Sequence, residues 1–294
     1  MANKNKACVI GSPIKHSLSP VIHNYWLKKY DIEGSYEAVE VSPENLKDFL
    51  LNLPESDYLG CNITVPHKEK AWEIISNSEI FEDSDSVASQ VAKFMKAINT
   101  VTINENGRLV VTNTDFLGFA RNLIEHAPEF DYNNSICLII GAGGAARAVA
   151  FALASMNVSH MVITNRTIEK SFEIKDLITE KFEFPEDKFD VVEWKNRIDL
   201  VKHCNLIVNT TSLGMVGKDE LDLSLENLQD NSLVTDIVYN PLETKLLKSA
   251  ADKGAKAIDG LGMLLHQAAP GFEAWFDKAP EVDKNLREEV LKRL

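Results

Sequence analysis

The sequence is poor in cysteine and in positive charge, and it has no long apolar run. Its four cysteines, Cys8, Cys61, Cys137 and Cys204, are widely separated, form no C-x-x-C pair and have no histidine at metal-ligand spacing. That excludes a zinc-ligand motif and a dense disulfide framework, leaves no metal to expect, and predicts reduced, mostly buried thiols. Lys and Arg number 31 against 44 Asp and Glu, a formal net charge of -13. A polyanion meets a repulsive average field, so nucleic acid and anionic membrane are excluded as partners, and an anionic ligand needs basic residues of its own. No uninterrupted apolar stretch is long enough to span a bilayer. The opening residues, Met1 to Lys6, run into Ala7-Cys8-Val9-Ile10 without a long apolar leader region, so a cytoplasmic location is the default expectation. There is no internal repeat and no low-complexity segment.

What is present suits a globular α/β protein. The length of 294 residues suggests roughly two domains, and 45% hydrophobic content is enough for real cores. In the first third, strand-like runs at Ala7 to Ile10, Ser35 to Val41 and Tyr58 to Val65 alternate with helical runs at Pro20 to Tyr30 and Pro43 to Leu51. Ser19 before Pro20 reads as a helix start, with Pro at the first helical position. Asn104-Glu105-Asn106-Gly107 between Asn99 to Ile103 and Leu109 to Thr112 is a hairpin signal closing this first region. A second alternating set has strands predicted at Ile136 to Ile140, His160 to Asn165, Asp190 to Trp194, Leu206 to Asn209 and Leu233 to Ile237, nearly continuous apolar runs that suit a parallel sheet buried on both faces. The tail from Leu261 reads as helix, with breaks expected around Pro270-Gly271 and Pro280, and is expected to pack back on the first domain.

The strand Ile136 to Ile140 leads directly into Gly141-Ala142-Gly143-Gly144-Ala145-Ala146 and then an Ala-rich helical stretch. This fits the G-x-G-x-x-G/A turn of a dinucleotide fold, in which backbone N–H groups at the helix start bind a pyrophosphate. The next strand ends in Asn165-Arg166-Thr167, with Asn165 24 residues after Gly141 and Lys170 just beyond. An NAD site usually carries Asp or Glu here; Arg and Lys neutralise a ribose 2'-phosphate, so NADP(H) is the predicted cofactor. Far upstream, Asn62-Ile63-Thr64-Val65-Pro66-His67-Lys68 sets a lysine at the mouth of a strand, and Lys68 is the candidate for the chemistry. Histidine as a residue type invites an acid–base role, but His16, His23 and His67 are set aside because Lys68 and Asp115 meet the requirement.

The ordered motifs resemble the shikimate dehydrogenase family over nearly the whole chain: Gly11-Ser12-Pro13-Ile14-Lys15-His16-Ser17-Leu18-Ser19-Pro20, Asn62 to Lys68, Ala97-Ile98-Asn99-Thr100, Asn113-Thr114-Asp115, the glycine turn, Asn165-Arg166-Thr167, Asn209 to Met215, Asp236-Ile237-Val238-Tyr239-Asn240-Pro241, and Gly260-Leu261-Gly262-Met263-Leu264 leading to Gln267. The resemblance implies an α/β fold with an N-terminal substrate-binding domain, residues 1–117 joined by helices over 263–294. A Rossmann-type doubly wound NADP domain would span 118–262, with the active site in the cleft between the two. It implies reversible reduction of 3-dehydroshikimate to shikimate by NADPH. Lys68 and Asp115 would then be the acid–base pair, since hydride delivery to a ketone builds charge on oxygen that a proton donor must meet.

A ring carboxylate with hydroxyls needs anion donors at one end and mixed partners at the other. Ser17, Ser19 and Tyr239 suit the first task; Thr64, Asn99, Asp115 and Gln267 suit the second. Ser19 read alone is only a helix cap. Gly141, Ala142, Gly143, Gly144, Ala145, Asn165, Arg166, Thr167 and Lys170 would hold NADP(H), and the resemblance places Ile237 and Gly260 by its nicotinamide end. Two residues depart from the family pattern: Phe116, expected to narrow the pocket beside Asp115, and Lys96, expected to alter only a turn. Alternatives are a quinate/shikimate dehydrogenase with relaxed cofactor use and a non-catalytic NADP-binding sensor. A monomer or homodimer is expected, with a small molecule as the partner.

Overall fold

The two alternating sets of strands form two separate sheets, each in its own unit. The computed structural model describes residues 4–294; Met1 to Asn3, part of the stretch read for a leader, lie outside the described residues. The first unit holds the chain up to Thr114 together with Leu265–Leu294, and the second is Asp115–Leu264. These limits fall within three residues of the expected 117/118 and 262/263, and they assign Asp115 to the second unit.

The first unit runs β1 (Lys6–Gly11), α1 (Ser19–Lys29), β2 (Ser35–Glu40), α2 (Leu46–Leu51), β3 (Tyr58–Ile63), α3 (Lys68–Ser76), α4 (Val87–Met95), β4 (Thr100–Ile103) and β5 (Leu109–Thr112). Its sheet has the order β2-β1-β3-β4-β5. The first three strands are parallel, and β4 and β5 are antiparallel through the predicted hairpin. Successive side chains of β1 point to opposite faces, and both faces are covered. Cys8 and Ile10 pack with Leu46, Leu50, Ile75 and Ala92 of α2, α3 and α4. Ala7 and Val9 pack with Tyr36 and Trp275.

The second unit runs α5 (Asp115–His126), β6 (Ile136–Ile140), α6 (Gly144–Ser155), β7 (His160–Asn165), α7 (Ile168–Lys181), β8 (Phe189–Glu193), α8 (Arg197–Leu200), β9 (Leu206–Asn209), β10 (Leu233–Asp236), α9 (Lys245–Asp252) and β11 (Lys256–Ile258). All its pairings are parallel, in the order β11-β10-β9-β6-β7-β8. Counted from β6 this is 3-2-1-4-5-6, the doubly wound dinucleotide order, whose switch point lies between β6 and β9. Leu138, Ile140, Ile207 and Val234 form one core with Leu246 and Leu247 of α9. Phe116, expected to narrow the pocket beside Asp115, is buried, with its ring edge-on to Phe151 of α6 at 4.8 Å.

The chain ends with α10 (Leu261–Phe276) and α11 (Lys284–Leu291). The expected break at Pro270-Gly271 is absent, because α10 continues through Pro270. Pro270 forfeits one backbone hydrogen bond, but Ala268, Ala269 and Phe272 around it are buried, and Trp275 Nε1 donates to Val101 O at 3.1 Å. The expected break near Pro280 falls between the two helices.

Candidate active site

In the first unit, backbone bonds draw three sequence-separated candidates to one end of the sheet. Thr64 N–H donates to Ile10 O (3.0 Å), Ile63 N–H to Asn99 O (2.8 Å) and Ile98 N–H to Lys68 O (3.1 Å). Thr64, Lys68 and Asn99 therefore sit where β1 and β3 end; the segment that follows β1 carries Ser17 and opens α1 at Ser19. Lys68 is half-buried and opens α3. His67, in the capping position, is buried, and its Nε2 lies 2.7 Å from Val41 O. A carbonyl only accepts, so the imidazole proton is on Nε2 and the ring holds the turn that presents Lys68. His16 is exposed and His23 is fully buried.

Ser19 corrects the helix-start reading. It is the first residue of α1; the capping position falls on Leu18, with no side-chain cap bond. Ser17 Oγ accepts the Ser19 N–H at 3.3 Å. The Val21 and Ile22 N–H groups, which a Ser19 cap would have served, donate to Leu18 O at 3.0 and 3.2 Å, so the Ser19 hydroxyl is not spent on capping. Asn99 is 2% exposed, and its Nδ2 reaches Gln267 Oε1 of α10 at 3.3 Å.

In the second unit, the candidates lie at the carboxyl ends of the parallel strands. Gly141 follows β6 with φ +107, and a Cβ there would lie 2.6 Å from Thr210 Oγ1, so glycine is required both for its conformation and for the approach of β9. Around Gly143 and Gly144 a Cβ would meet nothing within 4 Å, which leaves the backbone of this helix start open to a ligand. N–H groups and the positive end of the 12-residue α6 suit this helix start to an anion. Asn165 ends β7, with Nδ2 donating to Thr167 O at 2.9 Å. Arg166, Thr167 and Lys170 are exposed at the start of α7. The residues present fit a phosphorylated dinucleotide: a turn open to pyrophosphate, two cations after β7 and no carboxylate on Asn165-Arg166-Thr167.

Ile237 and Tyr239 follow β10. Gly260 packs so closely on Ile237 that a Cβ would lie 2.1 Å from its carbonyl oxygen. Burial pushes the Tyr239 phenol up, which keeps it a donor. Asp115 opens α5 and is 9% exposed.

Sequence reading missed the groups that hold these loops. Asp236 is fully buried and accepts from Asn209 Nδ2 (3.0 Å), Val238 N–H (3.0 Å) and Thr244 O–H (2.8 Å). Burial raises its pKa to about 6, outweighing the three donors, which pull it down. Its signal in the sequence was a carboxylate ending an apolar strand. Asn62, Thr100 and Thr114 likewise lay inside motifs with no role assigned to them. Among the described residues no cluster of His, Cys, Asp or Glu could hold a metal, and all four cysteines are free and buried. No helix is long and apolar enough to cross a membrane.

Fold and site together define a two-unit α/β protein with a doubly wound parallel sheet built to hold a nicotinamide dinucleotide. Residues 9–101 match the shikimate dehydrogenase substrate binding domain, residues 123–242 the shikimate/quinate 5-dehydrogenase model, and residues 260–284 the shikimate 5'-dehydrogenase C-terminal domain. The chain belongs to the shikimate dehydrogenase family. It is 41% identical to the shikimate dehydrogenase (NADP(+)) of a Ruegeria species, covering 97% of each chain. A solved structure of shikimate 5-dehydrogenase from Thermus thermophilus, in complex with NADP(H) and shikimate, is 31% identical with a TM-score of 0.81, covering 99% of this chain and 100% of that one. Quinate dehydrogenase from Corynebacterium glutamicum, in complex with NAD, is 26% identical with a TM-score of 0.87, covering 98% and 99%.

Proposed function

We propose that this protein is an NADP-dependent shikimate dehydrogenase, interconverting 3-dehydroshikimate and shikimate. The observation that carries the reading is the gathering of Ser17, Ser19, Thr64, Lys68 and Asn99 at one sheet end, with Gln267 bonded to Asn99, in a chain of this family. Bound NADPH supplies the hydride. Lys68, as ammonium, donates a hydrogen bond to the ketone oxygen and then its proton; in the reverse direction the amine takes the proton back. Asp115 is the second member of the acid–base pair and accepts a ring hydroxyl.

Ser17, Ser19 and Tyr239 donate to the substrate carboxylate, and Thr64, Asn99 and Gln267 read the ring hydroxyls. Gly141 to Ala145 hold the pyrophosphate, Asn165, Arg166, Thr167 and Lys170 the 2'-phosphate end, and Ile237 with Gly260 the nicotinamide end. The similarity to a quinate dehydrogenase makes quinate with NAD+ the second reading. Initial rates of NADP+ and NAD+ reduction with each acid separate the two. Shikimate with NADP+ is expected to dominate, and comparable quinate or NAD+ turnover overturns the narrower assignment. Lys68→Ala is expected to lose about 10²- to 10⁴-fold in kcat while still binding NADPH; unchanged kcat refutes the role of Lys68, and wild-type protein without turnover is the sensor. The reading places the enzyme in the cytoplasm, as a monomer or homodimer, which cell fractionation and light scattering test.

A further inference from the structure

The buried polar chain behind Asn99 has a direction, and two backbone groups impose it. The Asn99 carbonyl can only accept, so the Asn62 carboxamide atom facing it at 3.0 Å is Nδ2. The Thr114 N–H can only donate, so the Asn99 atom facing it at 3.0 Å is Oδ1. The remaining bonds then have one sense each. Tyr36 O–H donates to Asn62 Oδ1 (2.6 Å), Asn62 Nδ2 to Thr100 Oγ1 (3.0 Å), and Thr100 O–H to Asn99 Oδ1 (3.0 Å). Asn99 Nδ2 in turn donates to Thr114 Oγ1 (3.0 Å) and Gln267 Oε1 (3.3 Å), while Thr114 O–H donates to the Gln267 carbonyl at 2.8 Å. Tyr36, Asn62, Asn99, Thr100 and Thr114 are all 5% exposed or less.

The far end of the chain is anchored on α1, where the Ser19 hydroxyl lies beside the Tyr36 phenol. Tyr36 N–H donates to Asn24 Oδ1 (3.0 Å) and its carbonyl accepts from Asn24 Nδ2 (2.7 Å), so one carboxamide pairs the open edge of β2. The Tyr36 ring stacks on His23 at 3.9 Å and 5°. Burial holds the phenol pKa well above its ordinary value, so its proton stays on and points at Asn62.

We infer that Tyr36, Asn62 and Thr100 are positioning residues that fix the polarity of the Asn99–Gln267 pair, turning Gln267 Oε1 to Asn99 and its Nε2 donors to a hydroxyl oxygen of the substrate. This rests on the proposed reading of Asn99 and Gln267 as substrate-binding groups. A fixed donor favours a ligand that carries an acceptor there, because a ligand lacking that oxygen forfeits the hydrogen bond. None of the three positioning residues needs to touch the substrate, so their loss acts on substrate recognition more than on turnover.

Steady-state kinetics of the full chain with shikimate and NADP+ test this, using Thr100→Val, Thr100→Ser and Tyr36→Phe with Asn99→Ala as reference. Thr100→Val and Tyr36→Phe are expected to raise KM for shikimate roughly five- to tenfold, with kcat and the KM for NADP+ within about twofold of wild type. Thr100→Ser keeps the hydroxyl and is expected to restore the wild-type KM, which a merely structural role would not require. If Tyr36→Phe does not fold, the Val and Ser pair at position 100 decides. Wild-type KM in Thr100→Val while Asn99→Ala raises it overturns the positioning role. Should Asn99→Ala itself leave KM unchanged, the substrate-binding reading falls and the positioning role with it.

Discussion

Acidification should weaken the first unit through one residue, His23. Its ring is 0% exposed, stacked on Tyr36 at 3.9 Å and boxed by Trp26 (5.6 Å), Phe272 (5.9 Å) and Trp275 (5.6 Å). Neither ring nitrogen has a hydrogen-bond partner. Burial holds its pKa near 3, down from 6.5, and the nearby Asn62 carboxamide pulls the other way without reaching hydrogen-bond geometry. The folded state thus binds this proton far less readily than the unfolded chain does. The contribution of His23 to stability is fully present above about pH 6.5 and is lost as pH falls toward 3. Each pH unit in that window costs the folded state about 1.4 kcal/mol, hence about 2 kcal/mol by pH ~5 and about 3 by pH ~4.

Urea unfolding followed by tryptophan fluorescence measures this, because Trp26, Trp72 and Trp275 belong to the first unit and only Trp194 to the second. His23→Phe keeps an aromatic ring and removes the titration, so the difference between wild type and variant isolates this one group from the carboxylates. That difference should shift by about 2 kcal/mol in favour of the variant between pH ~7.5 and ~5. A difference that stays constant over that range, or a His23 ring proton resonance that titrates near 6.5, refutes the reasoning.

Lys96 closes α4 in the left-handed conformation, φ 50 and ψ 40, which costs any residue with a Cβ about 1–2 kcal/mol. Lys96→Gly should therefore stabilise the protein by roughly 1 kcal/mol in urea titrations, with kinetics unchanged. Arg166→Ala should raise KM for NADP+ about 10- to 100-fold, the worth of a charge-assisted phosphate contact, and leave the weaker NAD+ reaction unmoved; equal losses for both cofactors would remove Arg166 from the 2'-phosphate site. Asp236 has its pKa raised to about 6 from 3.8, so the folded state favours its protonated form; stability falls as pH rises through that window, with a full penalty of about 3 kcal/mol at pH 7. Asp236→Asn keeps the acceptor for Asn209 and Val238 and should gain on wild type as pH rises from about 4 to 7 in thermal unfolding, whereas a gap independent of pH would refute the ionisation argument.

The second sheet was legible in the sequence because parallel strands buried on both faces must be short, apolar and nearly uninterrupted. Ile136–Ile140, His160–Asn165 and Leu206–Asn209 have their expected limits. β8 is one residue earlier than expected, and the three-residue β11 is too short to leave a pattern. In the first unit α3 and α4 were not read. α3 begins directly after Pro66-His67, and α4 follows a polar stretch where Ser86 caps it by accepting the Ser89 N–H at 3.2 Å, with no Glu or Gln three residues on to mark a capping box. The continuous α10 defied a sound local rule, since burial on both sides of Pro270 outweighed one missing hydrogen bond.

The candidate site divides along the same physical line. Lys68, Ser17, Ser19 and the glycine turn lie at strand ends and helix starts, where a few adjacent residues define the local geometry and so leave a motif. Their supports do not. Asn62 bonds to residues 26, 37 and 38 positions away, and Thr114 to one 153 positions away. Which end of each carboxamide faces which neighbour follows only once the Asn99 carbonyl and the Thr114 N–H have been brought alongside, and it is that orientation, not residue type, that makes Asn99 a donor toward Gln267. A sequence can therefore present the groups that meet a ligand while withholding the sense in which they meet it. Substitutions that conserve every motif contact but reverse one amide, such as Asn62→Asp, should be among the most damaging in the first unit, because two acceptors would then face each other at the buried Asn99 carbonyl at a cost of about 1–3 kcal/mol or more.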